Sequence, residues 1–149
     1  MTAEGPKAWD DPEVARRILA SHRSWAVVGC SNDPSRPSYG VATFLQRRGY
    51  DVICINPTYD LCIEGAPCFP DLKAVDEPIE VVDLFRRSEA VLPHVREAIE
   101  VGAKAIWMQL GVWNQEAAEL AAHAGLRVVM NRCPAIDHPA MIGARRPEE

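Results

Sequence analysis

The fold class follows from residues 25–56, which read WAVVGCSNDPSRPSYGVATFLQRRGYDVICIN. An apolar run at 25–29 leads through a polar loop into an amphipathic helix. Gly49 then stands where the helix needs a left-handed residue to end, a conformation that glycine adopts without steric cost. A second apolar run at 51–56 follows, so the segment predicts a strand, a helix and a second strand of a parallel sheet.

The same helix, glycine and strand pattern occurs twice more, as AIEVGAKAIWMQL with Gly102 and ELAAHAGLRVVMN with Gly125. The predicted strands are nearly continuous in apolar content, which is typical of strands that are covered on both faces. They lie at 25–29, 51–56, 80–85, 104–110 and 127–131, with a short additional strand around 66–69. The sequence therefore predicts an α/β protein, a single doubly wound Rossmann-like domain over residues 1–149. We expect a mostly parallel sheet of five or six strands in the order 3-2-1-4-5, with helices on both faces.

Capping residues predict where several helices begin. Asp11 followed by Pro12 predicts a helix through about Ser21, and Ser88 and Asn114 are candidate N-caps of two later helices. The segment after Arg132 is rich in proline, and we expect it to run over the surface.

Composition and charge exclude several classes of function. The 149 residues carry a net charge of −5 with a pI near 5.4, and no lysine and arginine cluster suggests a nucleic-acid partner. No apolar run approaches the ~20 residues that span a bilayer, and the first residues do not resemble a leader, so we expect a cytoplasmic protein without a membrane partner. Five scattered cysteines without a CxxC pair predict free thiols and no metal site.

A ligand crevice is expected where the strand order reverses, outside the carboxyl ends of the strands that end near Gly29 and Phe85. The loop GCSNDPSRPSYG that follows the first strand combines Gly29, which lets backbone approach a ligand, with polar Ser31, Asn32 and Ser38. Pro37 suits the first turn of a helix, whose free N–H groups attract anions, and Arg36 adds a positive charge. The alternative is a purely structural turn that carries proline and serine.

Two features argue against a nicotinamide dinucleotide. From Gly29 the chain reads GCSNDP, so the second and third glycines of the GxGxxG fingerprint are missing. The second strand ends in Asn56-Pro57, where NAD-binding domains carry an acidic residue for the ribose hydroxyls.

Three segments together resemble a known family: VVGCSNDPSRPSYGVATFLQRRGYDVICINP, VVDLFRRSE and GAKAIWMQLGVWNQEAAELAAHAGLRVVMNRC. They are similar to the small stand-alone CoA-binding proteins, and through them to the CoA-binding domain of the succinyl-CoA synthetase alpha subunit. The similarity covers about residues 25–133. Two departures are Asn131 in place of the usual acidic residue before Arg-Cys, and an unusual segment at 60–70 with two extra cysteines.

The resemblance implies coenzyme A as the cofactor, held across the predicted crevice. Its phosphates would contact the Gly29–Tyr39 loop, the adenosine would lie beside Asn56 and Pro57, and the pantetheine would lie beside Phe85 and Arg86. The predicted binding residues are Gly29, Ser31, Asn32, Pro34, Arg36, Ser38, Tyr39, Asn56, Pro57, Phe85, Arg86, Gln109 and Gly111.

Other chemically interesting side chains have structural explanations. His123 lies at the end of a predicted helix before Gly125, and His22, His94 and His138 lack partners nearby in sequence, so we expect them at the surface. Cys30 is either a reactive thiol near a helix N-terminus or a small buried residue. Asp83 lies inside a strand and needs a partner if it is buried, and Trp107 is expected in the core.

No catalytic residue is predicted. We therefore expect a non-catalytic domain that binds CoA or acyl-CoA as a sensor, carrier or presenting module. The alternative is a nucleotide-dependent enzyme, either an NAD(P)-linked oxidoreductase or a component of an acyl-CoA ligase.

Overall fold

A computed structural model describes residues 9–143 of the chain. Helices and strands alternate along most of this length, as the repeated glycine pattern predicts. The elements are α1 (Pro12–Ser21), β1 (Ser24–Val28), α2 (Pro37–Arg47), β2 (Asp51–Ile55), β3 (Cys68–Phe69), β4 (Val81–Leu84), α3 (Leu92–Glu100), β5 (Ala105–Met108), α4 (Gln115–His123), β6 (Arg127–Val129) and α5 (Pro134–Met141).

The strands form one six-stranded parallel sheet in the order β3-β2-β1-β4-β5-β6. The short additional strand is present as β3. With it counted as the third strand, the predicted order 3-2-1-4-5 is confirmed, and β6 follows at the edge beside β5. In the centre of the sheet, Val27 of β1 lies between Cys54 of β2 and Asp83 of β4. Helix ends follow the prediction too, since Gly49, Gly102 and Gly125 have φ values of 96°, 83° and 90°.

Helices cover both faces of the sheet, as the apolar strands require. On one face, α3 and α4 bury Val95, Ala98 and Ala117 in a cluster with the alternate residues of β4 and β5. On the other face, α1 and α2 pack around Trp25 and Trp107, whose ring centroids lie 5.5 Å apart. Trp107 is fully buried, as predicted. The helices on the two faces bury the central strands β4 and β5 completely, while the outer strands β2, β3 and β6 keep exposed or half-buried residues.

The start of one helix differs from the prediction. Asp11 and Asn114 cap α1 and α4 with their side chains, but Ser88 does not cap α3. Instead, Ser88 starts a short 3-10 turn and its hydroxyl accepts a hydrogen bond from the N–H of Trp113, so it ties two loops together. Helix α3 begins later, at Leu92, with a proline in its first turn.

The segment after Arg132, which we expect to run over the surface, is helical at 134–141 and partly buried, and its residues 144–149 lie outside the described range. Residues 134–141 form α5, which contacts α1 and α2. Proline at the first helical position is compatible with this helix because its missing N–H would have no partner there. Arg132 then fixes the helix, since its guanidinium donates two hydrogen bonds to Asp137, at 2.7 and 3.1 Å.

No helix within residues 9–143 is long and apolar enough to cross a membrane.

Candidate functional site

The candidate site lies at the carboxyl ends of β1 and β4, which are neighbours in the centre of the sheet. The chain leaves β1 towards α2 on one face and leaves β4 towards α3 on the other. Two loops that diverge in this way leave a crevice between them, and this is where open α/β sheets bind their ligands.

Gly29 is required by the protein itself before any ligand is considered. Its φ of 85° is a left-handed conformation, and a Cβ atom at this position would collide with the carbonyl oxygen of Phe85. Gly29 therefore allows the loops after β1 and β4 to approach each other at the base of the crevice. A side chain here would disturb folding as well as binding.

The loop after β1 is held by its own serine and aspartate side chains. The N–H of Ser31 donates to the hydroxyl of Ser38 at 3.0 Å, and the hydroxyl of Ser31 accepts from the N–H of Asp33 at 3.0 Å. Hydrogen bonds from the backbone and side chain of Ser35 lower the pKa of Asp33. The chain then enters α2 with Arg36 at the N-cap position and no side-chain cap, so the helix N-terminus stays open towards the crevice side of the loop.

Three adjoining cavities run along the crevice. The β2 cavity, of about 240 Å³, is lined by Val28, Gly29, Ile55, Asn56, Pro57, Thr58, Pro70, Asp71, Arg86, His94 and Glu97. The central cavity, of about 340 Å³, is lined by Gly29, Ser31, Arg36, Pro37, Ser38, Asn56, Tyr59, Phe85 and Arg86. The β5 cavity, of about 790 Å³, is lined by Pro37, Val41, Phe85, Arg86, Arg87, Gln109, Leu110, Val112 and Cys133. Arg86 lines all three, so the cavities form one continuous groove.

The central cavity is lined by two arginines without ion pairs among the described residues, whereas in the β5 cavity one of the two arginines, Arg87, pairs with Glu89. Arg36 and Arg86 line the central cavity, no carboxylate does, and neither guanidinium has an ion pair within residues 9–143. The β2 cavity differs because Asp71 and Glu97 also line it, although each accepts a backbone hydrogen bond from the segment 73–74. An anion is therefore favoured in the central cavity.

The β5 cavity is mostly apolar, and one of its lining residues carries a buried polar atom without a partner among the described residues. Val41, Leu110 and Val112 supply its apolar lining. The side-chain oxygen of Gln109 is buried and has no hydrogen-bond partner among the described residues. A buried acceptor without a partner costs free energy unless a ligand or water donates to it.

Most of the sequence-predicted binding residues line this groove, although no ligand contact is thereby established. Those that do are Gly29, Ser31, Arg36, Ser38, Asn56, Pro57, Phe85, Arg86 and Gln109. Asn32, Pro34, Tyr39 and Gly111 lie outside the three cavities and stay predictions. Tyr39 packs beside Cys30 and Cys62, and Gly111 donates its N–H to the side chain of Asn131.

Asn56 has a more structural role than its position suggested. Its amide nitrogen donates to the carbonyl oxygen of Cys30 at 3.0 Å, and its amide oxygen accepts from the N–H of Thr58 at 2.9 Å. The side chain therefore joins the loops after β1 and β2, and it offers a ligand packing surface more than hydrogen bonds.

Sequence reasoning missed His94, which was expected at the surface but is half-buried in the β2 cavity. Burial lowers the pKa of His94, and the neighbouring Arg86 lowers it further, so the imidazole is neutral at pH 7. The available signal was its place in the first turn of the helix after β4, beside the crevice. His138 was also misplaced: it is fully buried, with its ring edge-on to Phe44 and Tyr50. His123, in contrast, is exposed at the end of α4.

Two further groups resolve questions that the sequence left open. Asp83 is fully buried, and neither carboxylate oxygen has a hydrogen-bond partner among the described residues, so desolvation raises its pKa well above the usual range. Cys30 is buried too, and the neighbouring Cys54 thiol together with burial raises its pKa. The interpretation of Cys30 as a reactive thiol is not supported.

A doubly wound parallel sheet with an anion-attracting groove at its central switch point defines a nucleotide-cofactor-binding protein of the Rossmann type. Comparison with known families gives a specific match: the CoA-binding domain model matches residues 23–139. This chain belongs to the CoA-binding domain family.

Three individual proteins are similar to this chain over most of its length. The uncharacterized protein YneT of Bacillus subtilis is 37% identical over 123 residues, which cover 83% of this chain and 90% of YneT. A hypothetical protein from Pyrococcus horikoshii is 36% identical with a TM-score of 0.86, and the match covers 96% of this chain and all of that one. A dinucleotide-forming acetyl-coenzyme A synthetase from Ca. Korarchaeum cryptofilum, solved with phosphate and ADP, is 26% identical with a TM-score of 0.63. That match covers 74% of this chain but 26% of the synthetase.

Proposed function

We propose that the chain binds coenzyme A or an acyl-CoA in the groove and acts as a sensor, carrier or presenting module without catalysing a reaction itself. One observation carries the proposal: the order of the three cavities matches the order of chemical groups along CoA. An adenosine, a diphosphate and an apolar pantetheine arm follow one another in CoA. A partly apolar cavity, a positively charged cavity and a larger apolar cavity follow one another in the groove.

The adenosine fits the β2 cavity, where Val28, Ile55 and Pro57 supply apolar surface. The acidic groups of Asp71 and Glu97 at its rim disfavour a phosphate there, while Arg86 offsets part of that charge. The 3′-phosphate is therefore expected at the Arg86 side of this cavity.

The diphosphate fits the central cavity. Arg36 and Arg86 provide two guanidinium groups without ion pairs among the described residues, and the open N-terminus of α2 provides backbone donors. The loop is already ordered by the Ser31 and Ser38 hydrogen bonds, so little conformational entropy is lost when the anion binds.

The pantetheine arm fits the β5 cavity. Its amide N–H groups can donate to the buried oxygen of Gln109, which otherwise has no partner within residues 9–143, and its methylene groups can pack on Val41 and Leu110. The volume of about 790 Å³ leaves room for an acyl group at the thiol end.

Similarity to part of an acetyl-CoA synthetase favours a ligase component as the second candidate. The sequence of this chain contains no GxxxxGK[ST] phosphate loop. Of the described histidines, His123 is exposed at the end of α4 and His22 lies beside Glu80. His138 is buried among aromatic rings, and His94 is half-buried in the groove. His94 lines the cavity that the adenosine of CoA would fill, so bound CoA would leave no room for ATP beside this histidine. We therefore expect no ligation by the chain alone.

Native mass spectrometry of freshly purified protein tests the proposal, because a retained cofactor is identified by its mass. We expect a mass that corresponds to one CoA or acyl-CoA per chain, either in the protein as purified or after CoA is added. Retention of NAD(P) instead of CoA would contradict the proposal. Formation of acyl-CoA from CoA, ATP, magnesium and short acids would show an enzyme, provided that it disappears in an Arg86→Ala control.

A further inference from the structure

Three cysteine side chains meet in the interior directly behind the loop that follows β1. The sulfur atoms of Cys30, Cys54 and Cys62 all lie within 4.8 Å of one another, and those of Cys30 and Cys62 are 3.1 Å apart. All three residues are buried, at 0%, 1% and 6% exposure. The sequence offered no spacing typical of a metal site, yet the fold brings together thiols that are up to 32 positions apart.

Strand pairing explains how the cluster forms. Cys54 lies in β2 beside Val27 of β1, and Cys30 follows β1 by two residues, with its N–H bonded to the carbonyl oxygen of Ile55. The two residues therefore meet at the carboxyl ends of adjacent parallel strands. This is where loops from different parts of the chain converge.

The third thiol comes from the loop between β2 and β3, which folds back on itself. The N–H of Cys62 donates to the carbonyl oxygen of Ala66 at 2.8 Å, and the N–H of Cys68 donates to that of Asp60 at 2.9 Å. A bridge between Leu61 and Pro67 closes the loop. The loop is thus fixed by backbone hydrogen bonds in the shape that turns Cys62 inward.

A fourth cysteine lies at the edge of the cluster. Cys68 is the partner of Cys54 across β2 and β3, and the two strands run parallel. The Cys68 thiol also interacts with Cys62 and lies 3.6 Å from the carbonyl oxygen of Asn56. It is half-buried, and as the register partner of Cys54 in parallel strands it lies on the same face of the sheet as Cys54.

We infer that Cys30, Cys54 and Cys62, with Cys68 as the fourth ligand where the ion requires one, bind a single thiophilic d10 metal ion, Zn²⁺ or Cu⁺. Sulfur ligands select these ions over the harder cations, which prefer oxygen. Zinc–sulfur bonds of about 2.3 Å in a tetrahedron place the sulfurs roughly 3.8 Å apart, so the observed cluster needs only small side-chain adjustments. The distance between Cys30 and Cys62 is far beyond a disulfide bond length of about 2.05 Å.

The surroundings suit a buried thiolate–metal group. Val27, Ala42 and Ile63 enclose the cluster with apolar side chains, which exclude water as a competing ligand. The Cys54 thiol forms hydrogen bonds with the Cys30 and Cys62 thiols and with the backbone N–H of Ile63, so the three sulfurs already face one another. A bound cation would replace the thiol protons and remove the repulsion that otherwise keeps the neighbouring sulfurs protonated.

The site is independent of the proposed CoA function, although the two are neighbours. The carbonyl oxygen of Cys30 accepts the hydrogen bond from Asn56, which lines the groove. A metal ion at Cys30 would therefore fix the start of the loop whose later residues line the central cavity.

The test titrates reduced, chelator-treated full-length protein under anaerobic conditions, with Zn²⁺ and Cu⁺ in separate arms, each against a competing chromophoric chelator. We expect one ion per chain in at least one arm, and a thiolate-to-metal charge-transfer band when Cd²⁺ is the probe. Cys62→Ala and Cys54→Ala should weaken binding at least a hundredfold. Cys133→Ser is the matched control, because Cys133 packs with the other core cluster and should bind as the wild type does.

Thermal unfolding without metal shows which variants are folded, and Cys62→Ala is the decisive one because Cys62 lies in a loop outside the sheet. Zinc binding that is weakened by Cys68→Ser identifies a four-sulfur zinc site, and copper binding that is insensitive to Cys68→Ser identifies a three-sulfur copper site. Either result supports the inference. Failure to bind one ion per chain in both arms, or binding that persists in folded Cys62→Ala, would overturn it.

Discussion

At the amino ends of β1 and β4, the carboxylate of Glu80 accepts hydrogen bonds from the backbone N–H groups of Arg23 and Ser24, at 2.8 and 3.0 Å. At the carboxyl ends of the same strands, the guanidinium groups of Arg36 and Arg86 have no ion pair within residues 9–143. Both ends carry charge at the border of the same sheet. One end uses it to hold the strands together, and the other presents it to a groove.

This difference indicates which end of the sheet is available to a ligand. Partial burial would raise the pKa of Glu80, but hydrogen bonds from Ser24, Arg23 and His22 lower it. The Glu80 carboxylate therefore already has its hydrogen-bond partners within the fold. Charge that is left without a protein partner at a switch point is available to a ligand instead. The two ends should therefore respond to mutation in opposite ways.

The largest effect on binding is expected for Arg86→Ala, because Arg86 lines all three cavities. Loss of a charge-assisted hydrogen bond costs about 1.5–3 kcal/mol, which corresponds to a rise in the Kd for CoA of about 10- to 150-fold. Isothermal titration calorimetry measures the Kd, and Tm should not change because the side chain is exposed.

Arg87→Ala is the matched control for Arg86→Ala. Arg87 is the next residue, is 80% exposed and pairs with Glu89 at 3.4 Å. Of the three cavities, it lines only the β5 cavity. Its removal should leave the Kd for CoA nearly unchanged. Equal effects of the two substitutions would mean that the groove attracts CoA through general charge and not through Arg86.

At the opposite end, Glu80→Ala should destabilise the fold and leave CoA binding unchanged. The substitution leaves the N–H groups of Arg23 and Ser24 without their acceptor, which costs about 1–3 kcal/mol of unfolding free energy. Urea denaturation measures this loss, and the exposed Asp76→Ala is the control. A weaker Kd for CoA in folded Glu80→Ala would contradict the separation of the two ends.

Between the two ends, buried Asp83 predicts a pH dependence of stability. Desolvation raises the pKa of Asp83 in the folded state, so the folded state binds more protons than the unfolded state above the unfolded pKa of about 3.9. By linkage, the stability that protonated Asp83 gives to the fold is fully present below the unfolded-state pKa and is lost as the pH rises towards the folded-state pKa. Asp83→Asn should therefore raise Tm at pH 7 and change it little at pH 4.

Each kcal/mol gained by Asp83→Asn corresponds to about 2–4 °C in Tm for a domain of this size. Thermal unfolding followed by circular dichroism at several pH values measures the effect. A Tm difference that stays constant from pH 4 to pH 8 would show that Asp83 does not titrate differently in the two states.

A smaller effect on binding is expected for Arg36→Ala, because Arg36 lines only the central cavity whereas Arg86 lines all three. A solvated contact contributes about 0.5–1.5 kcal/mol, or roughly two- to twelvefold in the Kd for CoA. The effect should shrink at high salt because exposed charges are screened. A loss larger than that of Arg86→Ala would place the diphosphate nearer to α2 than we propose.

The sheet could be predicted almost completely because its signals are local. A helix that ends at Gly49, Gly102 or Gly125 and continues into an apolar run fixes each crossover, and the parallel order follows from short right-handed connections. Arg36 and Ser38 could be placed in the groove for the same reason, since one loop carries both.

What the sequence did not reveal depends on contacts between distant segments. His94 enters the β2 cavity because α3 contacts the turn at 72–74, and Cys62 joins Cys30 through a folded loop. The helix at 134–141 was hidden by its prolines, and it is held by the Arg132–Asp137 pair and the burial of His138. Gly29 was assigned to ligand approach, whereas the structure shows that Phe85 already requires it.

The most direct test of the central claim compares CoA with NAD⁺ at equal concentrations on the wild-type protein, by calorimetry and by the shift in Tm. A ligand that binds only the folded state raises its stability by mass action, by about 2.7 kcal/mol at one hundred times its Kd. We predict that one CoA binds per chain and raises Tm in a concentration-dependent way. NAD⁺ should raise Tm far less at the same concentration. A stronger response to NAD⁺ than to CoA, or no response to either, would contradict this prediction.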